Sequence, residues 1–134
     1  MDRAERPVVE CVMVDAVDPE RLATFWTELL GLTVTHRTGP YVFVAAGGGL
    51  PGLGFQRVDV AKTVKNRIHL DIAADDPARA VNRVLALGGS RVPGYDEGGF
   101  LVMADPEGNE FCVLPAGDWE LDNDGIAHSP HPSA

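Results

Sequence analysis

Apolar positions along this chain follow two periods that alternate in a recurring order. Leu22, Phe25, Trp26, Leu29 and Leu30 fall at i, i+3, i+4, i+7 and i+8, a single apolar stripe that predicts a helix ending at Gly31. Ala80, Val81, Val84, Leu85 and Leu87 make a second stripe of smaller side chains before Gly88-Gly89, so the second helix is expected to pack more shallowly. Each stripe follows an Asp-Pro pair, Asp18-Pro19 and Asp76-Pro77. An aspartate there caps free backbone N–H groups, and a proline at the first helical position gives up no hydrogen bond. Short strand-like runs follow each helix: Leu32 to His36, Tyr41 to Ala45 and Leu53 to Val58, then Arg91 to Pro93, Phe100 to Ala104 and Glu110 to Leu114.

The two halves share one plan. Cys11 to Arg21 and His69 to Arg79 both run strand, Asp-Pro, helix, and one offset of 58 residues carries Cys11 to His69, Asp18 to Asp76 and Arg21 to Arg79. The pattern therefore predicts an α+β fold of two βαβββ modules, about 8–58 and 67–114, in one domain over 1–115. A polar C-terminal tail with weak propensity for regular structure follows over 116–134, with Trp119 placed to pin its beginning. Turn chemistry separates the last two strands of each module, at Gly47 to Gly52 and at Asp105 to Asn109. The first of these is glycine-rich, but no Gly-Lys-Ser/Thr and no helix start follow it, so it is not read as a phosphate cradle.

Composition narrows the partners. At 134 residues, 45% hydrophobic and 23% charged, the chain suits a single domain, and no apolar run approaches the roughly 20 residues of a membrane-spanning helix. Twenty acidic against eleven basic residues give a net charge of −9, which repels polyanions, so neither nucleic acid nor membrane is an expected partner. The N-terminal residues do not read as a signal peptide, and the two cysteines, Cys11 and Cys112, sit inside apolar strands. A cytoplasmic location with both thiols free of a disulfide is expected.

Three stretches together carry a family resemblance: Asp18 to Gly31 (DPERLATFWTELLG), Asn66 to Asp71 (NRIHLD) and Asp105 to Leu114 (DPEGNEFCVL). Over about residues 8 to 115 they resemble the vicinal-oxygen-chelate superfamily of glyoxalases, bleomycin-resistance proteins and extradiol dioxygenases, closest to its glyoxalase-like branch. The resemblance implies curved sheets walling a cavity, helices packed outside and, in many members, homodimerisation. It also implies that metal-using members hold a divalent ion through His or Gln and Glu on the first and last strands of each module.

Aligning Cys11 with His69 and Phe55-Gln56 with Phe111-Cys112 makes Cys11, Gln56, His69 and Cys112 the corresponding positions here. Cys112 stands where the resemblance implies a glutamate, so neither an octahedral oxygen-rich site nor a two-histidine, one-carboxylate iron site is expected. Cys11, His69 and Cys112 form the alternative, a three-ligand zinc site open to water. The expectation is no cofactor, zinc being the minor reading. Period-two alternation places Arg67, His69 and Asp71 on one face, opposite Ile68, Leu70 and Ile72, which should pack on the helix; Cys11 and Met13 line up likewise with Asp15. The expected ligand-binding set is Cys11, Met13, Gln56, Arg67, His69 and Cys112, with His69 and Asp71 as the catalytic pair if there is catalysis. Lys62, Lys65 and Arg67 concentrate positive charge just before His69, either to attract an anion or as a solvated linker with ordinary ion pairs. Phe25 and Trp26 are read as core.

Two functional readings follow. One is a metal-independent protein that binds or sequesters a small organic ligand, similar to drug-resistance members of the superfamily. The other is a lyase, isomerase or hydrolase using His69 as acid or base, or a Cys/His-bound zinc as Lewis acid. A domain whose main role is to associate with a partner enzyme ranks last, since no docking segment is recognisable.

Overall fold

The computed structural model describes residues 4–128 except 46, 49, 98, 99 and 118, and for residues 94–97, 100 and 127 the backbone alone. The chain divides into two compact units, Met1–Ala61 and Lys62–Ala134. Unit 1 runs β1 (Cys11–Ala16), α1 (Pro19–Leu30), β2 (Thr33–Thr38), β3 (Tyr41–Ala45) and β4 (Gly52–Arg57). Unit 2 runs β5 (Leu70–Ala74), α2 (Pro77–Ala86), β6 (Ser90–Glu97), β7 (Phe100–Ala104) and β8 (Glu110–Pro115), followed by β9 (Glu120–Leu121) and β10 (Ala127–His128). Each unit holds a four-stranded mixed sheet of the same order, β1-β4-β3-β2 and β5-β8-β7-β6, in which the first and last strands of the module run parallel and the others antiparallel. Two βαβββ modules are thus present.

The predicted caps form. Asp18 Oδ1 accepts from the Arg21 amide at 3.2 Å and Asp76 Oδ1 from the Arg79 amide at 3.1 Å, satisfying donors that the first helical turn leaves without a partner. Gly31 ends α1 at φ 67°, the left-handed conformation that lets its amide reach back to the Thr27 carbonyl. Leu22, Ala23, Phe25 and Trp26 of α1 are buried together with Ala16, Val42, Val44, Leu53 and Phe55 of the first sheet. Phe25 and Trp26 meet edge to face at 5.2 Å, as core residues. Each large side chain so buried contributes roughly 1.5–3 kcal/mol.

In unit 2 only Val84 of α2 is buried, so Met103, Phe111 and Val113 supply most of the bulk beneath that helix. The shallower second helix is as expected. Gly89 lets the chain leave α2 tight against the sheet: a Cβ there would lie 2.6 Å from Val84 Cγ1 and 2.7 Å from the Ala104 carbonyl oxygen. Pro93 is tolerated because β6 is the sheet's edge strand and is irregular between Arg91 and Asp96.

Three expectations are corrected. Residues 67 and 68 form a bend and the ladder begins at Leu70, so Ile68 is 78% exposed instead of packing on the helix with Leu70 and Ile72. The 58-residue offset also persists into the last strands, since Met13 pairs with Gly54 as Asp71 pairs with Cys112, and Asp15 with Gln56 as Ala73 with Leu114. Gln56 therefore corresponds to Leu114, and Cys112 to Gly54. Finally, the segment expected to lack regular structure forms a hairpin between β9 and β10. Asp122 closes it, its Oδ1 accepting from the Asp124 and Ile126 amides at 2.9 Å and its Oδ2 lying 2.8 Å from His128 Nε2. Among the described residues no helix is long and apolar enough to cross a membrane.

Candidate functional site

Strand alternation leaves each sheet one face away from its helix, and the expected site residues divide between these two faces. On the first sheet, Cys11, Met13 and Asp15 of β1 pair with Gly52, Gly54 and Gln56 of β4, and Gly54 and Gln56 pair in turn with Phe43 and Tyr41 of β3. His36, opposite Phe43 in β2, stacks on it at 4.6 Å with 19° between the planes, and Tyr41 follows at 5.7 Å and 26°. The result is a row of three rings that sequence reasoning missed. Its signal was present in the alternation of Tyr41 and Phe43 and in the Gly39-Pro40 turn that folds His36 back beside them.

An open groove of about 620 Å³ runs along this sheet, lined among others by Glu10, Cys11, Thr35, His36, Phe43 and Leu50. Burial, and then the neighbouring Glu10 charge, raise the Cys11 thiol above its ordinary value of 9.0. Cys11 is therefore a neutral, weakly nucleophilic thiol near pH 7.

The second sheet presents a different surface. Val102, Cys112 and Leu114 form a buried cluster on it, with Val92 and Trp119 packed against them. Trp119 thus does more than pin the segment after β8, because it roofs this face. At the uncovered end His69 Nε2 lies 3.1 Å from Asp71 Oδ1, with 30% and 51% of the two side chains exposed. Asp71 pairs with Cys112 across β5 and β8, and the ligating atoms of His69, Asp71 and Cys112 all lie within 4.8 Å of one another. Cys112 itself is 2% exposed. His69 and Asp71 therefore share a side as predicted, and the companion that the sheet register supplies is Cys112. Cys11 lies in the first unit and Arg67 is exposed on the bend.

Of the cations before His69, Lys62 is committed to structure, together with its neighbour Asn66. Lys62 Nζ lies 2.7 Å from Glu110 Oε1, the Asn66 amide donates to the same oxygen at 3.1 Å, and Asn66 Nδ2 donates to Asn109 Oδ1 at 3.1 Å. Burial alone would raise the Glu110 carboxyl, but the hydrogen bonds from Lys62, Asn66 and its own backbone, with the Lys62 charge, hold it below its ordinary value of 4.5. A carboxylate depressed in the folded state stabilises fully above its unfolded value and loses that contribution as pH falls through the folded one. Stability should accordingly decline as the pH drops below 4.5, and Glu110→Gln should flatten that part of the profile. Urea midpoints of wild type and variant across pH 3–6 check this, and parallel curves would exclude Glu110 as a source of the acid response.

The oxygen-rich divalent ion used by many glyoxalase-fold proteins does not suit these residues. The cluster offers one carboxylate, one imidazole and a thiol, where a hard cation takes six or more oxygens.

The family model for the glyoxalase-like domain matches residues 11–114. Among solved structures, a glyoxalase/bleomycin resistance protein/dioxygenase family enzyme from Burkholderia phytofirmans PsJN is similar over 81% of this chain and 98% of its own, with a TM-score of 0.67 at 16% identity. The trypanothione-dependent glyoxalase I of Leishmania major is similar over 82% of this chain and 87% of its own, with a TM-score of 0.64 at 20% identity. The fosfomycin resistance protein FosX from Listeria monocytogenes is similar over 80% and 91%, with a TM-score of 0.63 at 13% identity. No curated protein sequence matches the chain. At these identities the structures speak for the fold, and the family match rests on the chain itself: the protein belongs to the glyoxalase-like domain family of the vicinal-oxygen-chelate superfamily.

Proposed function

We propose that this protein binds a small, planar organic ligand, sequestering it without the octahedral metal centre of the superfamily's metal-using members. The observation that carries this is the stacked row His36–Phe43–Tyr41 beside a groove of about 620 Å³, a volume within the usual range of small-molecule sites. Stacked on one another, the three rings present their edges and the two outer faces of the row, against which another flat ring can pack. Glu10 in the groove, Asp15 on the same face of β1 and the net charge of −9 favour a neutral or cationic ligand over an anionic one. Cys11 lines the same groove, and Met13 and Gln56 lie further along β1 and β4. The neighbouring fold of a fosfomycin resistance protein supports drug resistance as a role this architecture can serve. Homodimerisation and a cytoplasmic location belong to the same reading and rest on the resemblance and the sequence.

A planar cationic dye such as acridine orange is the first probe, with an anionic naphthalene sulfonate as control. Binding should favour the cation, and Phe43→Ala should weaken it by about 0.5–1.5 kcal/mol, the worth of one aromatic contact. Equal affinity of wild type and Phe43→Ala in a fluorescence titration would remove the platform from the binding site.

The His69–Asp71 contact favours the second reading. A carboxylate accepting from Nε2–H leaves Nδ1 as the basic nitrogen of the neutral ring, an arrangement suited to proton transfer. Mass spectrometry of a captured ligand separates the readings, because a sequestering protein returns its ligand unchanged.

A further inference from the structure

We infer that the segment beyond β8 is a strap whose Trp119 occupies an apolar surface on the second sheet, so that an aromatic ligand reaches that surface only when the strap lifts. This goes beyond the binding reading, whose aromatic platform lies in the first unit and contains none of these residues.

The first observation is what the ring covers. Val102 and Cys112 pair across β7 and β8, Leu114 follows two residues on along the same face, and Trp119 packs on this cluster together with Val92. The three covered side chains are 8% exposed or less, and all are small or aliphatic. Such a surface holds an aromatic ring by contact area.

The second observation is a difference between the modules. Phe43 pairs with Gly54 in the first sheet where Val102 pairs with Cys112 in the second. The first sheet therefore carries its ring on a strand and leaves a groove of about 620 Å³ open beside it. The second has an aliphatic side chain at that position and receives its ring from outside the sheet. A ring supplied in this way can leave without breaking a strand ladder.

The third is how the strap is held. The Ala116 amide donates to the Ala74 carbonyl at 2.9 Å, which fixes the chain to β5 up to that point. Gly117 follows at φ 91°, a conformation that glycine adopts without strain, and it stands where a hinge is needed. Beyond it, among the described residues, β9 and β10 pair only with each other, over two residue pairs, and Asp122 closes their turn. The hairpin is thus ordered locally, and Trp119 at the foot of β9 seats it on the sheet. Lifting it uncovers Val102, Cys112 and Leu114 beside the His69–Asp71 pair, an apolar floor with a polar edge. That combination fits an aromatic heterocycle of about the size of the indole it replaces.

The test uses the full chain in a Cys11→Ser background, where Cys112 is the one remaining thiol. Its rate of reaction with an aromatic disulfide reagent measures access. Trp119→Ala should raise that rate by roughly tenfold or more, because labelling of a covered thiol follows the population of the opened form. Asp122→Ala, which loosens the hairpin without touching the cluster, should raise it by less, and Trp119→Phe should keep most of the protection. Indole added to Trp119→Ala should slow labelling again by filling the vacated surface.

Equal labelling of Cys112 with and without the Trp119 ring would overturn the strap. So would a parent rate already as fast as that of the urea-unfolded chain, or an acceleration no larger than the fall in urea midpoint accounts for. No effect of indole on Trp119→Ala would overturn the aromatic-binding surface, and parent-like protection in Asp122→Ala would remove the hairpin from the strap. If Trp119→Ala does not fold, Trp119→Phe and Asp122→Ala carry the test. Dye binding to the His36–Phe43–Tyr41 platform, measured on the same samples, should be unchanged, so failure of one proposal is distinguishable from failure of the other.

Discussion

Phe111→Ala should destabilise the protein by about 3–5 kcal/mol, the usual cost of removing a buried phenylalanine ring. Phe111 is 1% exposed and lies on β8 between Leu70 of β5 and Met103 of β7. What raises the cost at this position is the helix above it. Only Val84 of α2 is buried, so no large side chain on that helix can relax into the space the ring leaves. Leu22, Phe25 and Trp26 of α1 have no equal in bulk on α2. Phe111→Leu, which keeps most of the volume, should cost under about 1.5 kcal/mol. Urea denaturation of the three proteins, compared by midpoint at unchanged slope, decides between a packed ring and a replaceable one. A Phe111→Ala midpoint close to that of the leucine variant would show that the second sheet and α2 close over the space.

The same difference between the helices explains which parts of the fold were legible from sequence. Asp18-Pro19 and Asp76-Pro77 announced both helix starts because capping is a local interaction, complete within three residues. Tyr41–Ala45 and Phe100–Ala104 were readable in full because turn residues bound them on both sides. Ile68 was misread because the alternation of Arg67 to Ile72 is locally a good strand, whereas the Asn66 amide bonds to Glu110, 44 residues away, and the ladder starts only at Leu70. The alignment of Gln56 with Cys112 failed for a different reason: matching the similar-looking Phe55-Gln56 and Phe111-Cys112 pairs overrode the offset already established by Cys11 and His69, and a slip of two residues preserves the face while changing every partner. What the sequence left open was the neighbour of Cys112, since its place beside Asp71 is set by the parallel register of β5 and β8. His69 with Asp71 was readable from i and i+2 alone. The Trp119 roof depends on how the segment beyond β8 folds back, and no period in the sequence encodes it.

Asp105→Ala should cost about 2–4 kcal/mol, because it strands several donors that a single buried carboxylate satisfies. Asp105 is 3% exposed. Its Oδ1 accepts from the Glu107 amide at 3.0 Å, the Asn109 amide at 3.0 Å and Asn109 Nδ2 at 3.1 Å, while Oδ2 accepts from the same Nδ2 at 2.9 Å. The Asp105 amide in turn donates to the Asn109 carbonyl at 3.0 Å, so the turn between β7 and β8 is tied from both ends. Alanine removes the acceptor and leaves two backbone N–H groups and an amide with nothing to replace it. Asp105→Asn separates charge from geometry. It keeps one oxygen for the backbone amides, and its new NH₂ group faces the Nδ2 donor of Asn109, so it should fall between wild type and alanine. The effect also reaches the site: Asn109 Oδ1 accepts from Asn66 Nδ2, Glu110 next to it holds Lys62 and the Asn66 amide, and His69 lies three residues beyond Asn66. Hydrogen exchange should therefore show lost protection at Asn109 and Asn66 together in Asp105→Ala. Loss at Asn109 alone would mean that the turn holds its own shape without positioning the segment that leads to His69.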